Sequence, residues 1–131
     1  MSVIATTTVN SESGFAQKIE SSGHALTADE SVSNGGTGTG PNPYGLLLAS
    51  LGACTSITLR MYADRKGWAL GRVHVALRHE KTTEGGDQIH REISFTAPLT
   101  QEQRDRLAEI AEKTPVTKTV KAGAAIQTRV L

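Results

Sequence analysis

Two kinds of hydrophobic spacing divide this chain. Up to residue 30 apolar and polar positions alternate in short runs, whereas from about residue 43 the apolar positions crowd until they cover a whole helical cylinder. The short runs at 3–9, 15–20 and 24–28 predict strands of a small antiparallel sheet, the last two joined by Ser-Ser-Gly. The glycine-rich stretch 35–40 reads as loop. Asn42 is a suitable N-cap, Pro43 suits the first turn, and Arg65, Lys66 and Gly67 mark an end, so a helix of roughly 24 residues and about 36 Å is predicted. Leu46, Leu47, Leu48, Leu51, Ile57, Leu59 and Met61 are spread around it, which predicts burial on most sides.

The second half returns to alternation. Strands are predicted at 73–81 and 88–97, joined by a turn at Glu84-Gly85-Gly86-Asp87. Thr100 with Gln103 forms a capping box for a second helix, whose stripe is Leu107, Ile110 and Ala111 and which Pro115 is expected to stop. A closing strand is predicted at 124–130. Strands, helix, hairpin, helix and strand make one α+β domain over residues 1–131.

Composition changes the picture in three ways. With 131 residues the chain struggles to enclose the long helix alone, and Ala49, Ser50, Gly52, Ala53 and Ser56 permit close approach of a second backbone, so a homodimer is expected. A net charge of +1 argues against capture of nucleic acid or of an anionic membrane. The apolar run at 45–59 is too short to span a bilayer, no targeting segment is visible, and the single cysteine fits a reducing compartment, so a cytoplasmic protein is expected.

That cysteine, Cys54, lies within the long helix. Its setting resembles the OsmC/Ohr family (osmotically inducible protein C and organic hydroperoxide resistance proteins). The resemblance is carried by Gly40-Pro41-Asn42-Pro43-Tyr44 and by Leu46-Leu47-Leu48-Ala49-Ser50-Leu51-Gly52-Ala53-Cys54-Thr55, and it continues through Arg65-Lys66-Gly67-Trp68 and Pro115-Val116. It implies an OsmC-like intertwined α+β homodimer, with antiparallel sheets enclosing two long central helices and two active sites at the subunit interface. It also implies peroxiredoxin-like reduction of organic hydroperoxides under oxidative stress, and a flexible lid at the glycine-rich stretch 35–40 beside the interfacial pocket. By that resemblance Cys54 matches the family's helix cysteine. The second cysteine's position before Pro-Val holds Thr114, the helix-start carboxylate positions hold Tyr44 and Gly45, and the N-terminal strands contain no arginine, only Lys18.

A peroxidatic thiol must ionise, and a free thiol titrates at about 8.5, so a cation near the sulfur is expected. Arg60 points about 120° away from Cys54 around the helix and Arg65 lies roughly 16 Å along it, which leaves Lys18, Lys118 and His24 as candidates. Tyr44 lies about 15 Å before Cys54, so a group there could serve only the partner's thiol. With no second thiol, oxidised Cys54 would need an external thiol reductant. His24, His74, His79 and His90 lack metal-ligand spacing and the glycine loop lacks a phosphate-binding pattern, so no metal or cofactor is expected. Two readings remain: a one-cysteine hydroperoxide reductase acting on a small apolar hydroperoxide, or an inactive dimer binding small apolar molecules in an interfacial pocket.

Overall fold

The computed structural model describes residues 1–131 and forms two compact units, Met1–Leu47 and Leu48–Leu131. In the first, β1 (Thr7–Asn10), β2 (Gln17–Ser21) and β3 (His24–Ala28) pair antiparallel in that order. β1 begins four residues later than its β-branched run suggested, because pairing starts only at Thr7 opposite Ser21. Ser22 and Gly23 both take positive φ (50° and 79°), the tight-turn geometry whose twist matches paired strands. Val9, Ile19 and Leu26 form one cross-strand row, with Val9 and Leu26 at least half exposed.

The loop that follows is pinned, contrary to the expected flexible lid. Asp29 is buried, and its carboxylate accepts from the backbone N–H of Glu30, Thr37 and Thr39 and from both threonine hydroxyls at 2.5–3.1 Å. Gly36 N donates to Ser31 O and Gly38 N to Glu30 O. A side chain on Gly36 would place its Cβ 2.0 Å from Glu30 O, so the tight crossing of the two segments admits only glycine. The glycines here permit close packing rather than motion.

Helix α1 (Pro43–Lys66) starts as the sequence suggests, with Asn42 Oδ1 accepting from Gly45 N at 2.8 Å. It ends in a left-handed Gly67, where Trp68 N donates to Ala63 O and Gly67 N to Asp64 O. By length and composition α1 could cross a membrane, a test that the core helix of a soluble protein also passes.

In the second unit β4 (Val73–Lys81) and β5 (Asp87–Phe95) form a hairpin in register from Val73↔Phe95 to Lys81↔Asp87. α2 (Gln101–Ala111) has both bonds of its capping box, between Thr100 and Gln103. Leu59, Tyr62 and Ala63 of α1 join Leu70, Leu107 and Ala111 in a core flanked by Val73, Ile93 and Phe95. Within one chain α1 is therefore buried on one side only. Ala49, Ala53, Ile57 and Met61, spaced one turn apart, stand on its open side, with Ile57 and Met61 more than half exposed.

Two expectations fail near the C-terminus. Pro115 does not stop α2, which ends at Ala111. It begins α3 (Pro115–Ala122), with Thr114 as N-cap accepting from Thr117 N. A proline at the first helical position loses no hydrogen bond, so there it is a start signal. Residues 124–130 form no strand; they are exposed, without a strand partner.

Candidate functional site

At about 100° per residue, Leu51, Thr55, Leu59 and Tyr62 gather on the buried side of α1, and Ala53 and Ile57 oppose them. Cys54 and Thr58 fall on the flank between these sides, both half-buried. The thiol's neighbour is the Thr58 hydroxyl one turn on, at 3.9 Å. Cys54 is thus neither sealed in the core nor fully in solvent, but at the edge of the uncovered stripe.

One residue further, Thr55 is fully buried and belongs to a polar cluster that the sequence reading missed. Its centre is Arg91. β5 alternates inward through Ile89, Arg91, Ile93 and Phe95, so the arginine occupies a position where the pattern calls for an aliphatic side chain. Its side chain is 11% exposed. Burying a guanidinium requires satisfied donors. Nη1 donates to Thr55 Oγ1 and Thr117 Oγ1, both at 2.9 Å. Nη2 donates to Ala111 O at 3.0 Å, the last carbonyl of α2, and to Glu112 Oε2 at 2.9 Å. The Thr55 hydroxyl in turn donates to Leu51 O at 2.7 Å, and Thr117 lies 2.6 Å from the Thr114 hydroxyl. A continuous path of hydrogen bonds therefore runs from the turn of α1 beside Cys54 to Thr114, where the resemblance places the second cysteine. Glu112 bridges Lys121 and Arg91, and these two cations, Lys121 foremost, hold its carboxyl below the ordinary range.

Beside this cluster lies a cavity of about 340 Å³, with Leu51, Ile89 and Val120 as its apolar wall and Arg91, Glu112, Thr117 and Lys121 as its polar side. Cys54 does not line it. Tyr44 is exposed in the first turn of α1 and Gly45 donates to the Asn42 cap. Lys18 is exposed on β2 and His24 on β3, both in the first unit. Arg60 donates to Gly71 O, and Lys118 is exposed on α3. The largely buried cation of this region is Arg91, and the signal for it was a charged residue within an inward apolar alternation.

No curated protein sequence matches the chain. Its fold matches an OsmC-like protein from Mycoplasma pneumoniae (TM-score 0.74, 17% identity, covering 92% of this chain and 88% of that one). It also matches the organic hydroperoxide resistance protein OsmC of Legionella pneumophila (0.68, 22%, 92% of each chain). A third match is the organic hydroperoxide resistance protein OhrB of Bacillus subtilis (0.63, 22%, 91% of each chain). Each shares the α+β architecture described above. The family model for OsmC-like proteins matches residues 36–129, from the pinned loop through α1, the hairpin and α3, and the chain belongs to that OsmC/Ohr family.

Proposed function

We propose that the chain is a thiol-dependent organic hydroperoxide reductase that works as a homodimer, with Cys54 as the attacking sulfur. The position of Cys54 on α1 carries this reading. The sulfur stands where the buried side meets the open stripe, so a second copy laid on Ala53, Ile57 and Met61 would enclose it in a shared apolar pocket. Structural neighbours named for organic hydroperoxide resistance support the same class of chemistry.

In the proposed cycle the Cys54 thiolate attacks the terminal peroxide oxygen. An S–O bond forms, the O–O bond breaks, and the leaving alkoxide takes a proton to become the alcohol. Cys54 is then a sulfenic acid. Thr114 cannot resolve it, so an external thiol displaces water to form a mixed disulfide, and a second external thiol releases Cys54 and carries away the disulfide.

A second reading rests on the cavity, which Cys54 does not line: an inactive family member holding a small apolar molecule against Leu51, Ile89 and Val120. Trapping the sulfenic acid separates the two. Near-stoichiometric organic hydroperoxide should label Cys54, and Cys54→Ser should abolish peroxide consumption. A Cys54 that stays unmodified in large peroxide excess would favour the binder.

A further inference from the structure

We infer that Arg91 is the positioning residue of the thiol site, acting through Thr55. This rests on the proposed chemistry at Cys54 and assigns that chemistry a residue outside the family motif quoted above.

The guanidinium ties four places together: α1 at Thr55, the last carbonyl of α2, Glu112 just after it, and α3 at Thr117. Thr55 precedes no cap and ends no element. It lies in the middle of α1, where its hydroxyl already bonds Leu51 O, so the added bond from Arg91 serves the tertiary arrangement rather than the helix. A helix seated by apolar side chains alone can slide or roll by a fraction of a turn. A directional bond from a largely buried, four-fold bonded arginine to the residue beside Cys54 fixes that roll. It thereby sets which way the neighbouring sulfur points relative to the open stripe. Through Thr117 and Thr114 the same arginine holds the α3 start in register with α1. These are the segments that the family's two cysteines would occupy, joined here by a polar latch.

Peroxide reduction is sensitive to such a setting, because sulfur must approach along the O–O axis while a proton reaches the leaving oxygen. Alkylation of a half-exposed thiol tolerates many approach directions. Thr55→Val removes the acceptor while keeping size, and Arg91→Lys keeps the charge but loses the fork. In either folded variant the rate of Cys54 oxidation by cumene hydroperoxide should fall about tenfold or more, with the iodoacetamide rate changed less than about twofold. Wild-type oxidation rates in both folded variants would overturn the inference and leave the proposed function standing. Equal loss of both reactions would reduce Arg91 to a packing role and overturn it as well. A wild-type Cys54 inert to peroxide would remove the functional reading itself, and the inference with it. Should Arg91→Lys not fold, Thr55→Val decides alone.

Discussion

The chain withdraws two charges from water, Asp29 fully and Arg91 largely, and threonines help to satisfy both. Asp29 sits in a loop of the first unit and draws its five hydrogen bonds from residues one, eight and ten positions away. Arg91 sits on a strand of the second unit and reaches partners 20 to 36 positions away. The anion organises a segment, while the cation organises a tertiary junction. Local partners assemble as soon as the loop closes, but those of Arg91 exist only once α1, the hairpin, α2 and α3 have docked. Arg91 should therefore report on the whole second unit, and Asp29 chiefly on its own loop.

The sharpest way to break this contrast is Arg91→Met. It deprives Thr55, Thr117 and the α2 terminus of one donor group and should cost about 3 kcal/mol, read as an earlier denaturant midpoint for the second unit's core. If the midpoint does not move, the cluster is not a junction.

A smaller loss is expected from Asp29→Asn, which puts an amide donor where hydroxyls and N–H groups converge. Its signature is pH. The Thr37 hydroxyl foremost, with further bonds from Thr39 and Glu30, holds the Asp29 carboxyl well below the usual carboxylate range. The contribution is thus complete above an unfolded value of about 4 and is lost as acid carries the pH down toward the folded value. Wild type and variant should differ by a constant amount from neutral pH to about 5, and the gap should narrow below about 4. A gap that stays constant into acid would show that the carboxylate charge is not what matters.

The smallest effect belongs to a spoke of the Arg91 cluster rather than its hub. Thr117→Val removes one acceptor while Arg91 keeps Thr55, Ala111 O and Glu112, so about 1 kcal/mol is expected by thermal melting. A loss equal to that of Arg91→Met would mean the cluster fails as a unit.

The same contrast explains what was readable beforehand. Asn42-Pro43, Thr100 with Gln103, and the Gly67 terminus are local signals, and α1 and α2 formed where those signals place them. The glycines at 35–40 were legible as loop. Their pinning was not, because it depends on an aspartate several residues upstream folding back onto Thr37 and Thr39. Pro115 was read as a stop, but the Thr114 hydroxyl before it caps a new helix and makes it a start. The run at 124–130 has strand-like residues but no paired neighbour, a tertiary fact that alternation does not contain. Of the candidate site, the cysteine was visible from its helix, whereas the largely buried Arg91 lay 37 positions away on a strand that otherwise reads as apolar packing.

The uncovered side of α1 has a bearing on how this molecule behaves at dilution. Four apolar side chains one turn apart, left in water, favour any encounter that removes them from it. Where like molecules meet on such a surface, the free energy of unfolding includes the free energy of parting. A melting temperature then varies with how much protein is in the tube, and values taken at different concentrations describe different equilibria.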